Sequence, residues 1–128
     1  MNNRLIKFRT FDLEKAQMRE VAAIEFIDEE VSAVQIYSKD KKSVHVREDD
    51  IILMQFTGLK DKNGKDIFEG DIVKAAPMDK DYGKVQIGFI DYFAPRFGVK
   101  VEGLGTIKFF EGRSEVIGNI YTNPELLK

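Results

Sequence analysis

The chain has no cysteine, no tryptophan and one histidine among its 128 residues. Without cysteine it can form no disulfide, no thiolate nucleophile and no sulfur-ligated metal centre, a composition that fits a reducing cytoplasm. With His45 alone, a catalytic triad or a histidine-based metal site would have to be built around one residue. That residue sits in the alternating run Val44-His45-Val46-Arg47, where an ordinary strand position accounts for it. No apolar stretch approaches the ~20 residues of a membrane-spanning helix, and the opening MNNRLIKFRTFD lacks the apolar core of a secretion signal. An excess of charge is also missing. Twenty Lys and Arg stand against 22 Asp and Glu, a net charge of −2, so there is no global attraction to nucleic acid or membrane. No spacing singles out a carboxylate pair or a nucleophile with its base. The expectation is therefore a protein that is not an enzyme, with no catalytic residues, no metal ligands and no cofactor.

What is present is a soluble, globular composition, 43% hydrophobic and 33% charged, with ten Phe and four Tyr to build a core. A chain this long buries roughly two-thirds of its unfolded surface and needs no staples. The first half reads as strands. Residues 5–11 and 44–47 alternate, and residues 31–37 read as a strand of mixed pattern with Val34 and Ile36 on opposite faces. Residues 51–56 form the most apolar run, a strand covered on both faces or a short helix ending at Gly58. Residues 18–27 are ambiguous, because Ala22-Ala23 suits a helix and Ile24-Glu25-Phe26 a strand. The strand reading is preferred, and an α+β N-terminal region is the alternative. The second half is punctuated by turn signals about every ten residues, as in small β-barrels and sandwiches. Gly88 inside a strand pattern suggests a bulge or bend. Asn123-Pro124-Glu125 reads as the start of one terminal helical turn. The fold class is thus mainly β, with a β-rich region over 1–50 followed by a small barrel over 51–128.

Two stretches carry candidate chemistry. The first, QFTGLKDKNGKDIFEGDIV over residues 55–73, holds three glycines and four Asp/Glu side chains. As an EF-hand loop beginning at Asp61 it fails, since Lys65, Asp66 and Ile72 occupy positions that demand an oxygen ligand, Gly and Glu. As a phosphate loop it fails too, because Gly64-Lys65 is followed by Asp66 rather than Ser or Thr. As a turn it succeeds, with Asn63-Gly64 expected at the tip of a type I′ hairpin. The second is the interleaving of basic and aromatic residues in Lys7-Phe8-Arg9-Thr10-Phe11 and in Tyr92-Phe93-Ala94-Pro95-Arg96-Phe97. Lys7, Arg9, Phe11, Tyr92, Arg96 and Phe97 are the candidate contacts for single-stranded nucleic acid or for a partner. The competing account makes the aromatics core and the bases solvated, and the negative net charge favours it.

Several blocks together bring a family into view. IKFRTFD near the start, LMQFTGLKDKNGKDIFEGDIVK in the middle and EVIGNIYTNPELL at the end resemble the YopX-like family of phage and prophage proteins. The resemblance implies an SH3-like β-barrel in the C-terminal part and a smaller N-terminal region that mediates self-association into a homo-oligomer. It also implies a phage or prophage origin, hence residence in the bacterial host cytoplasm with a host or phage protein as partner. It brings no activity and no catalytic residues. The reading is a non-enzymatic interaction module, with a nucleic-acid-binding accessory protein as the alternative.

Overall fold

A computed structural model describes residues 5–37, 40, 42–76, 85–107 and 112–128. The turn expected over 79–83, residues 38, 39 and 41 of the loop over 38–43 and the end of the strand expected over 106–110 lie outside the described residues. The chain is mainly β, arranged in antiparallel sheets. Its strands are β1 (Phe8–Asp12), β2 (Gln17–Ile27), β3 (Glu30–Tyr37), β4 (Ser43–Arg47), β5 (Ile51–Lys60), β6 (Asp66–Phe68), β7 (Asp71–Ala75), β8 (Gln86–Phe93), β9 (Arg96–Val101), β10 (Gly105–Ile107) and β11 (Ser114–Asn119). Two 3-10 turns, Glu48–Asp50 and Pro124–Leu127, are the described helical elements. Residues 18–27 are therefore strand. The pair Val21–Ile36 and its neighbours anchor β2 in the ladder, so tertiary pairing overrides the helix propensity of its alanines.

The chain divides into two compact units, Ile6–Gln55 and Phe56–Lys128, the latter joined by the first five residues. In the N-terminal unit the strand order is β4-β3-β2-β1-β5, and every described neighbouring pair is antiparallel. Strands β4 and β5 thus run the same way with three strands between them, and β6 pairs with the far part of β5. In a flat sheet they would lie about 19 Å apart, four spacings of about 4.8 Å. Yet the three residues Glu48–Asp50 join the end of β4 to the start of β5, and a 3-10 turn of that length rises only about 6 Å. The sheet must coil steeply upon itself. Its core shows that it does, since Ile51 of β5 shares a buried cluster with Val34 and Ile36 of β3, which lie on one face and not on opposite ones, and Val46 of β4 packs against that cluster. Register shifts near Val21 and Phe26 bend the long strand β2 between its partners.

The C-terminal unit repeats this plan. Its five-stranded sheet runs β10-β9-β8-β7-β11, so in each unit five strands occur in the order fourth, third, second, first, fifth. Ile67, Val73, Ala75, Ile90, Val99 and Val101 form the core. Gly88 sits in an unbroken register with Val73, so it is not a bulge. A side chain there would collide with the carbonyl oxygen of Lys100 and stand 2.8 Å from Val99 Cγ1. The glycine lets two strands and their side chains close together. The terminal turn lies beside β11, with Leu126 against Gly118. Asn123 does not cap it as expected; its Oδ1 accepts from the Asn119 N–H at 3.2 Å instead.

Candidate functional site

The loop between β5 and β6 is organised by one carboxylate. Asp61 is buried, and its Oδ1 accepts the N–H groups of Asn63 at 2.8 Å and Lys65 at 2.9 Å. Its Oδ2 accepts the N–H of Val116 in β11 at 3.0 Å. Burial by itself would raise the Asp61 pKa, but these three backbone donors and the Lys65 charge hold it below the ordinary aspartate value. Gly64 has φ +80 whereas Asn63 has no positive φ, so the tip is not a type I′ turn. The side chain of Asp61 supplies the acceptors, and the backbone no longer needs two left-handed residues. Lys62 adds a 3.1 Å ion pair with Glu115. This stretch ties the start of β11 to the β5–β6 loop and serves as architecture.

The six residues singled out by sequence fall into two groups, one in each unit. Lys7, Arg9 and Phe11 alternate on and just before β1, with Lys7 and Arg9 half-buried and Phe11 buried opposite Met18 and Ile52. Tyr92, Arg96 and Phe97 come together on the β8–β9 hairpin. Tyr92 pairs directly with Phe97, their ring centroids 5.3 Å apart and tilted by 59°, a favourable aromatic geometry. Phe97 packs against the core while Tyr92 is 53% exposed. Phe93, paired with Arg96 at the mouth of the two-residue Ala94-Pro95 turn, is 63% exposed. Sequence reasoning named the run containing Phe93 without singling it out. The signal was the Ala94-Pro95 turn, which places its flanking residues at a hairpin tip.

A second feature, an open cavity of about 300 Å³, lies in the N-terminal unit. Its lining includes β4 from Val44 to Arg47, Asp12, Glu14 and Lys15 at the β1–β2 turn, and Asp50. Ile36 and Ile51 line it from the core, and Arg19 reaches it from β2. Asp12 is already engaged, because its Oδ1 accepts the N–H groups of Glu14 at 3.0 Å and Lys15 at 3.1 Å. The Leu13 N–H donates to the Asp50 carbonyl at 3.0 Å and so fastens this turn to the 3-10 turn before β5. Arg19 differs: its Nε is buried and has no hydrogen-bond partner. Among the described residues no group of three His, Asp or Glu side chains is placed to hold a metal ion, and no helix is long and apolar enough to cross a membrane.

With the geometry in place, comparison with known proteins decides the family. The family model described as YopX protein matches residues 7–128, nearly the whole chain. The chain belongs to the YopX family. Among solved structures it is similar to protein EF1440 from Enterococcus faecalis, at 33% sequence identity and a TM-score of 0.67, with 98% of this chain and 100% of that chain covered. No curated protein matches. The YopX family match spans the β8–β9 hairpin, the coiled N-terminal sheet and the Asp61 loop alike.

Proposed function

We propose that this YopX family chain is a non-enzymatic protein-interaction module of phage or prophage origin that acts in the bacterial host cytoplasm. The observation that carries the reading is the β8–β9 tip, where Tyr92 and Phe93 stand exposed beside Arg96. Exposed aromatics with a neighbouring arginine are the residue types that dominate protein interfaces. The C-terminal unit is read as an SH3-like small barrel built from β7 to β11 with Ile67 of β6 in its core. The N-terminal strands are read as the self-associating part. Phe26 and Ile27 are exposed at the end of β2, and β4 is an edge strand. Affinity capture from bacterial lysate tests the main reading: wild type retains a partner, and Tyr92→Ala/Phe93→Ala loses it. Retention by both proteins would remove the tip from the account. Light scattering tests self-association, and a strict monomer at high concentration would end that part.

One observation supports the alternative of a nucleic-acid accessory protein. Arg96 lies between exposed Phe93 and Phe97 in a pattern that allows base stacking and phosphate pairing. That reading expects fluorescence anisotropy to show salt-sensitive binding to single strands, weakened by Arg96→Ala. No binding at low salt would dismiss it.

A further inference from the structure

The cavity of the N-terminal unit lies along a strand edge. Four consecutive residues of β4 line it, which both faces of a strand can do together only when the strand is seen edge-on. β4 is also terminal in its sheet, pairing with β3 alone among the described strands. The coiled sheet therefore leaves an open seam between the outer edge of β4 and the β1–β2 turn. A space of about 300 Å³ is too narrow for a sheet or helix of another folded protein, but it suits a few residues of a single extended segment.

The polar groups of the seam specify that segment further. Directly paired residues share a sheet face, so Thr10, Arg19, Ile36, Val44 and Ile51 face the same concave side. On that side Thr10 is 0% exposed with an unpartnered hydroxyl, and Arg19, directly opposite it, has an unpartnered buried Nε. Arg19 as a whole is half-buried, but its buried Nε–H has no acceptor and is open to an incoming oxygen, a carboxylate oxygen giving the stronger, charge-assisted bond. Asp12 does not reach this atom: its Oδ1 accepts two backbone N–H groups, and Arg19 Nε has no hydrogen-bond partner. Ile36, Ile51 and Val44 surround the position with apolar surface.

From this juxtaposition we propose that the seam binds an extended peptide segment, which pairs its backbone with the outer edge of β4, sets an apolar side chain against Ile36 and Ile51, and directs a carboxylate side chain to Arg19. It is strand addition with one acidic anchor. The inference rests on the interaction-module reading and names the chemistry of a partner at a site apart from the β8–β9 tip.

The test is a 15N NMR titration of the full chain with the blocked peptide Ac-Ser-Val-Ser-Glu-Ser-NH2, whose Val and Glu lie two residues apart and so share one face of an extended strand. Saturable shifts are expected at residues 44–47 and at the Arg19 Nε–H signal. Replacing the peptide Glu by Gln is expected to weaken binding roughly tenfold or more, and N-methylating its backbone to abolish it. Arg19→Gln, shown folded by its own spectrum, is expected to remove the preference for Glu over Gln. Changes to the peptide leave the protein intact, so they decide the matter even if that variant misfolds. Absence of shifts at millimolar peptide, equal binding of the Glu and Gln peptides, or equal binding of pentanoate alone would overturn the proposal. Failure here with capture at the β8–β9 tip intact would leave the interaction-module reading standing; capture that vanishes while the peptide still binds would do the reverse.

Discussion

Asp61 illustrates how one side chain sets local structure. It replaces a glycine-rich turn with three charge-assisted hydrogen bonds and links residues 55 positions apart. A carboxylate whose folded pKa lies below its unfolded value stabilises fully above about pH 4, and that contribution is lost as pH falls through the folded value. Asp61→Asn is therefore expected to lower stability by about 2 kcal/mol at pH 7. In urea unfolding the gap from wild type should narrow below about pH 4. A gap that held constant down to pH 2 would contradict the role given to the charge. Gly88→Ala should destabilise by about 2 kcal/mol, because the obstacle is partly the backbone carbonyl of Lys100; an unchanged urea midpoint would refute the close-approach account. Both residues were visible in the sequence as special, but for other reasons. Asn63-Gly64 announced a turn without revealing that a neighbouring aspartate organises it. Gly88 announced an irregularity where the constraint was the space between strands, which no local pattern records.

At the scale of elements, alternation and turn residues made most strands legible. The apolar run over 51–56, the alternation at 44–47 and the Ala94-Pro95 turn all appear where the sequence places them. Residues 18–27 were ambiguous because their alanines satisfy two periodicities, and pairing to β1 and β3 resolved them. Arg19 was missed. Its signal was a charge in phase with apolar Val21, on the side of β2 that turned out to face the concave core. The candidate residues of β8 and β9 were legible as a basic-aromatic run, and the hairpin register then separated exposed Tyr92 from Phe97 against the core. Because Phe93 is a surface residue, Phe93→Ala is expected to change the unfolding free energy in urea by no more than about 0.5 kcal/mol. A larger loss would mean that the tip serves packing instead of recognition.

At the scale of the molecule, the two units share one strand order although their sequences show no internal repeat. The repetition is topological. In the N-terminal unit a brief link joins the fourth strand to the fifth and the sheet coils, and the C-terminal unit reaches the same strand order with different apolar residues filling it. A repeat of this kind leaves no trace in sequence, since only the alternation and the turn positions need agree. Function resisted reading because the candidate residues lie at the surface, Tyr92 and Phe93 at a hairpin tip above all, and surface residues carry weak patterns. The most direct test is affinity capture from bacterial lysate with wild type and Tyr92→Ala/Phe93→Ala compared side by side, after matched unfolding curves. The account predicts a protein retained by wild type and lost from the double variant. Identical captures by the two, or none by either, would contradict it.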